Sequence, residues 1–598
     1  MPTSPSLVAA NVIDYSIKLD GKPLNSLYQV QSIAIERSMF RIASAKIAIL
    51  LPTGSKDNAT FKNSDSNDFL PGKKIEIGVG SINKKTVVFK GIIVKNNIRN
   101  GGEDWNLLSL QCSDESVKMA LGRKSAYYEK MKDSAVISSI VGEYGLKSAV
   151  DATNYQHKLL VKYQSNDWDF LISRAEANGL LVYTEDGQVM VKKPLSSGTP
   201  ELTLDFGKDV LSFDLSLDAR AQATTITHSA WDPKTQAMVE GKSTEPSLSK
   251  VGDLETKTLG TKIGLKDQKL SITEPLEKTE LDTWASAQLL RERMGGIQGT
   301  VTFFGNASPK LNTLIEFDGF GARYNGKALI SSVSHLVKAG FWQTTVGVGL
   351  PVEGYHEQRE INIPPAAGLL PAVSGLLNGT VKKIDADPDG HYRILVDVPV
   401  IAPSGTGIWA RLSNLYATAG KGSFFYPEVG DEVVLGFLND DPRFPIILGM
   451  LYSSKLKPAY TPDSANKIKA IVTKNDLKIE FNDQDKVLTV KTPGGNEFIL
   501  SDKDKSITIK DQNGNKMLMD NAGISLNSAK DINIKANGKI NITATTGIKA
   551  SASGGDVSLE GLNVQAKAKI AFSAQGSASA ELKAGGNTSI KGAIVMIN

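Results

Sequence analysis

Between residues 523 and 550 the chain alternates apolar and polar positions on an eight-residue beat. Ile524, Ile532, Ile540 and Ile548 hold one phase; Leu526, Ile534, Ile542 and Ala550 keep the same step two residues later. Side chains two apart share one face of an extended segment. Each octad therefore predicts a three-residue strand and a short turn of Gly, Asn, Lys or Asp. So short a strand cannot stand alone. The repeat predicts a chain that winds and stacks turn on turn, its stripe closed against neighbouring turns or other copies. The predicted core of that stack is Ile524, Leu526, Ile532, Ile534, Ile540, Ile542 and Ile548. Looser repeats flank it, from Leu477-Lys478-Ile479 to Met517-Leu518-Met519 before and from Val557-Ser558-Leu559 to Glu581-Leu582 after. Their alternation argues against a disordered Gly/Ser/Ala tail, which needs no apolar phase. Past residue 550 the inward positions shrink, with Ala550, Ala552, Ala566, Ala568, Ala574 and Ala580, which predicts a narrowing rod. About a dozen layers at ~4.8 Å would span on the order of 60 Å.

Upstream, residues 1–351 read as a β-rich base of two barrel-like parts with helices. Helices are predicted after Asp133, near Ser165 and over about Asp282 to Met294, and a hairpin across Asp186-Gly187. Pro351, Pro364, Pro365, Gly368, Pro371 and Gly375 mark a linker over 352–378. Five short strands then fit a small barrel of the OB type at 379–453, and a second linker, 454–470, leads to the repeat region, 471–598.

Composition changes this picture little. A formal net charge of +4 over 598 residues, with no Lys/Arg block, does not point to a nucleic-acid binder. One cysteine, Cys112, excludes an intrachain disulfide and fits assembly in a reducing cytoplasm. The N-terminus lacks the features of a signal peptide, and Ala366 to Leu377 is too short and interrupted to span a bilayer.

Phe424 to Ser454 resembles the OB-fold signature of the VgrG spike family of type VI secretion systems and related contractile injection machines. Pro427, Val429, Gly430, Asp431, Glu432, Val433, Phe437, Leu438, Asp441, Pro442, Pro445, Leu448, Gly449 and Tyr452 match in order, with Asp440 where the family usually has glycine. Phe69-Leu70-Pro71-Gly72-Lys73 and Asp167-Trp168-Asp169-Phe170-Leu171 are similar to the family's phage-hub-like base. The resemblance implies a mainly β chain: a phage-hub-like β-barrel base with short helices, an OB-fold barrel and a C-terminal intertwined trimeric β-helix needle. It further implies a homotrimeric spike that punctures a target envelope, touching the target membrane transiently. Its base would meet a hexameric tube protein and baseplate proteins, and it would carry effectors. Ile594, Val595, Met596, Ile597 and Asn598 would seat a PAAR-type tip protein. Assembly would be cytoplasmic, followed by secretion or injection. A spike of an extracellular phage-tail-like particle, and a spike with peptidoglycan hydrolase activity, are the alternatives.

Catalytic and cofactor chemistry finds no support in the residues. His157, His228, His335, His356 and His391 are scattered without metal-pair spacing, so no metal site is expected. Gly420-Lys421-Gly422-Ser423 lacks the upstream glycine of a phosphate loop, because position 415 is Leu415. No Gly-x-Ser-x-Gly elbow occurs. No lysozyme-sized segment separates barrel from repeat, and none follows it, so the expectation is a protein that is not an enzyme.

Overall fold

The computed structural model describes residues 13–51, 66–100, 106–272, 275–403 and 405–597. The chain divides into two compact units, Met1–Leu451 and Tyr452–Asn598.

In the first unit, thirteen strands form one sheet. The two barrel-like parts expected from the sequence share this sheet. Gln29–Ser38 pairs antiparallel with Gly326–Lys338, in a register that sets Glu36 against Ser334, and this joins the halves. One half covers a core of Ile33, Ile47, Ile49, Ile77, Phe89 and Ile93; the other covers Phe303, Leu314, Phe317, Ile330 and Val346. Period-two alternation explains the split between faces. The register lines up Ser113, Ser44, Glu36, Ser334, Thr345, Thr302 and Ser212 across the opposite face.

The three predicted helices are present as Asp133–Glu143, Asp167–Ala177 and Lys278–Met294. Asn166 caps the second: its Oδ1 accepts the Asp169 N–H at 2.7 Å. Trp168, Leu171, Ile172 and Ala175 are buried on one face, and Gly179 ends the turn at φ +67°. The hairpin across Asp186-Gly187 has both residues at positive φ, 51° and 83°, as a type I′ turn requires.

The Pro/Gly-rich stretch 352–378, expected as a linker, is tied down along its length. The buried Tyr355 donates its O–H to Asp169 at 2.7 Å and its N–H to Glu176 at 3.0 Å. Further along, the Val373 N–H donates to the Asp440 carbonyl at 2.9 Å.

Leu377–Lys383, Ile394–Asp397, Ile408–Leu412, Glu432–Phe437 and Pro445–Leu451 close into a five-stranded barrel. Val381, Ile394, Val396, Ala410, Val433, Leu435 and Ile447 fill it. The Val-Gly-Asp-Glu-Val run turns the chain into the fourth strand. Gly430 takes φ +98°, and the Asp431 carboxylate accepts the Glu428 N–H at 2.8 Å. The rejected phosphate-loop stretch is a small hairpin of Ala417–Thr418 and Lys421–Gly422.

Candidate assembly interface

The second unit opens with seven five-residue strands: Ile468–Val472, Lys478–Asn482, Val487–Lys491, Glu497–Ser501, Ser506–Lys510, Lys516–Asp520 and Gly523–Asn527. Each pairs antiparallel with the next. This differs from the winding expected here. Short Asp-, Asn- and Gly-rich turns, with Gly495 at φ +96° and Gly514 at φ +91°, fold the chain straight back on itself.

The register gathers the apolar residues into two rows. Ile471, Ile479, Val490, Phe498, Ile509, Met517 and Leu526 stand opposite one another across the seven strands. Phe481, Leu488, Leu500, Ile507, Met519 and Ile524 form the second row, begun by Lys469. The rows end at Ile524 and Leu526, the first two residues of the octad stripe, so sheet and stripe are continuous. Ion pairs support the polar side, with Lys478–Glu480 at 2.9 Å and Lys491–Glu497 at 2.8 Å. The hydrogen bond from Tyr460, then that from Lys478, holds the Glu480 carboxyl below its ordinary pKa.

Beyond Asn527 no described residue forms a strand within its own chain, which is the expected fate of very short strands without a partner. The eight-residue beat persists in the backbone instead. Bends recur at 529–530, 537–538, 545–546, 553–555, 561–562, 569–570, 577–578, 585–586 and 593–594. Most intervening segments have six residues. Ile532 and Ile534, Ile540 and Ile542, Ile548 and Ala550, Val564 and Ala566, and Phe572 and Ala574 take the second and fourth places. The sixth place is small: Ala536, Ala544, Ala552, Ala568, Gly576, Ala584 and Gly592. Val557 and Leu559 lie one residue out of the octad phase. The three-residue bend Ser553-Gly554-Gly555 absorbs the slip and returns them to second and fourth place in the five-residue segment 556–560.

The seven predicted core residues share this one stripe, and in the single chain each is 52–72 % exposed. Ile594 is the second residue of the last bend and Val595, Met596 and Ile597 follow it, all four exposed; Asn598 lies outside the described residues. A contiguous apolar face of this length on one chain is an interaction surface.

Three histidines of the first unit, His157, His228 and His335, are buried in its packing. His335 is fully buried, its Nδ1 3.0 Å from the Thr344 hydroxyl, and burial, aided by the Arg37 charge, pushes its pKa down to about 3. His228 is buried with Nε2 2.9 Å from Gln288 Oε1. His157 Nε2 lies 3.0 Å from Asp133, which also takes Arg174 at 2.7 Å. Burial pushes the Cys112 thiol up to about 12. Among the described residues no group of three or more His, Cys, Asp or Glu is placed to hold a metal ion, and no helix is long and apolar enough to cross a membrane.

A family profile described as the Alg8 N-terminal domain matches residues 9–339, more than half of the chain. Another, the type VI secretion system/phage-baseplate injector OB domain, matches residues 377–452, which contain the closed barrel. The chain is similar to the actin cross-linking toxin VgrG1 of Vibrio cholerae, 33 % identical over 98 residues, which is 15 % of this chain and 9 % of that protein. It is similar to the type VI secretion system spike protein VgrG3 of the same species, 40 % identical over 60 residues, which is 10 % of this chain and 6 % of the relative. These matches thus span a small part of each relative. Among solved structures, the 43 kDa tail protein of prophage MuSo2 from Shewanella oneidensis aligns at a TM-score of 0.44 and 14 % identity, over 57 % of this chain and 99 % of that one.

Proposed function

This chain belongs to the family of the Alg8 N-terminal domain and carries a match to the type VI secretion system/phage-baseplate injector OB domain; from that premise we propose that it is a VgrG-like spike, three copies of which wind together into a puncturing needle. The continuous stripe from Ile471 to Ile590 carries this reading. Its side chains are too exposed to be left in water. Three copies about one axis give every stripe two others to face. The segment edges that lack partners within one chain then pair between chains, which also removes exposed lateral edges. In the octads of Ile532, Ile534, Ile540 and Ile542, large second and fourth places alternate with a small sixth, which lets those layers interlock.

The exposed Ile594 to Ile597, with Asn598, form the seat for a PAAR-type tip protein. The base meets a hexameric tube and baseplate, and effectors travel on the assembly. The rod's rigidity comes from main-chain hydrogen bonding, and the thrust comes from a contracting sheath. The buried His157, His228 and His335 of the first unit are engaged with Asp133, Gln288 and Thr344, which supports a mechanical rather than an enzymatic role.

Mass photometry of the full chain tests the reading: a trimer is expected. The substitution pair Ile540→Asn and Ile542→Asn places six amides in the shared core, and the trimer should give way to monomer. A stable monomer of the parent protein at every accessible concentration refutes the proposal.

A further inference from the structure

The five-stranded barrel carries two apolar surfaces that its own chain does not cover. The first is the stretch between its third and fourth strands, where none of residues 413–426 is buried. This arm is nevertheless ordered. The Ser423 N–H donates to the Tyr416 carbonyl at 2.8 Å across its small hairpin, and Tyr426 anchors its root by donating its hydroxyl to the Tyr392 carbonyl at 3.0 Å. Leu415 and Phe424 stand on the arm 98 % and 82 % exposed. Apolar side chains held out in this way mark a contact surface, and a fixed arm loses little freedom on binding. The second surface lies on the barrel wall. Gly436, in the fourth strand, leaves a hollow: a Cβ there would lie 3.2 Å from Leu448 Cδ1 and 3.7 Å from Leu376 Cδ2. Both leucines are more than half exposed. The arm therefore does not cover its own wall.

Each chain thus offers one protruding arm and one hollowed wall. Unlike surfaces joined head to tail close into a ring about a three-fold axis. The charges agree with such a contact. Lys421 is the only charged residue among 413–427. The loop from the fourth strand to the fifth carries Asp440 and Asp441 against Arg443. Arg443 is held by Asp441 at 2.7 Å, which leaves Asp440 as the surplus charge, opposite in sign to Lys421. A foreign protein would have to cover three arms and three walls, whereas copies of the chain cover both at once. Residues 452–467 tether the barrel to the first strand of the repeat. Copies joined along their repeats therefore hold their barrels at a high effective concentration. This step rests on the trimeric reading above. We infer that the arm 413–426 of one copy packs Leu415 and Phe424 against the wall of Leu376, Gly436 and Leu448 on the next copy, a second interface between chains that is separate from the repeat.

A photoreactive phenylalanine analogue in place of Phe424 of the full chain tests this. Irradiation should give covalent dimers and trimers on a denaturing gel, with the cross-linked peptide mapping to residues 374–380 or 445–452. The double substitution L415S/F424S supplies a second readout. It should lower the thermal midpoint of the trimer by about 4 °C or more, yet leave that of the I540N/I542N monomer within about 1 °C. Mass photometry runs alongside. A parent protein that is not trimeric overturns the functional reading itself. A trimer whose cross-links stay within one chain, fall outside the barrel or do not form overturns this inference alone and leaves the arm to a foreign partner. An equal shift of both midpoints overturns it too, because the two side chains then serve their own barrel.

Discussion

Asp440 holds φ +58° where the resembled family usually has glycine, and its neighbour Asn439 holds φ +51°. Aspartate tolerates this left-handed conformation better than other side chains, through local hydrogen bonding; here its carboxylate accepts the Ser374 hydroxyl at 3.3 Å. Asp440→Ala should cost about 1 kcal/mol, whereas Asp440→Gly should stay within about 0.5 kcal/mol of the parent in urea unfolding. His335 makes a pH prediction. Its folded pKa, pushed down to about 3, lies below the unfolded value near 6.5. Above pH ~6.5 both states are neutral and the residue contributes no pH dependence. Below that, only the unfolded chain takes up the proton, so stability declines as the pH falls towards 3. By pH ~5 the loss is about 2 kcal/mol. His335→Gln should flatten this part of the pH–stability curve of the base, and an unchanged slope would refute the assignment.

At the scale of elements, the tie between segment 352–378 and the helix Asp167–Ala177 is the most consequential local arrangement. The Tyr355 hydroxyl is buried, donating to Asp169 and accepting from Arg359 at 2.8 Å. Tyr355→Phe leaves a buried carboxylate short of a donor, which costs about 1–3 kcal/mol. Limited proteolysis should then cut within 352–378 faster than in the parent, with the barrel released intact. No sequence pattern reveals this tie, because Tyr355 and Asp169 are 186 residues apart. What was legible obeys local rules. Asn166 before Asp167 marks a helix start, Asp186-Gly187 a tight hairpin, and alternation around Val433 and Leu435 a barrel strand. The stripe of Ile532, Ile540 and Ile548 was legible because a repeat states its period many times. The pairing of Phe481 with Leu488 was not, because period-two alternation fixes a face and leaves the partner open. The out-of-phase Val557 and Leu559 needed the backbone, since the wide bend Ser553–Gly555 restores them.

At the scale of the whole molecule, stability and recognition are assigned to different stretches of the repeat. The two apolar rows and the octads they feed repeat one interaction many times. Losing a terminal layer therefore removes only nearest-neighbour energy, as in other quasi-one-dimensional folds. From the last bend onward, Ile594 to Ile597 break the beat with four consecutive apolar side chains, three of them at least 78 % exposed. Consecutive apolar residues point to both faces of an extended segment, so even a three-fold rod cannot cover all of them. On the proposed reading, a cap of complementary apolar surface covers them. Deleting residues 594–598 should therefore leave the trimer and its thermal midpoint within a few degrees of the parent, while binding of a purified PAAR-type tip protein is lost in size-exclusion co-elution. Dissociation of the trimer on that deletion would instead make these five residues a clamp on the rod, and the tip seat would have to lie elsewhere.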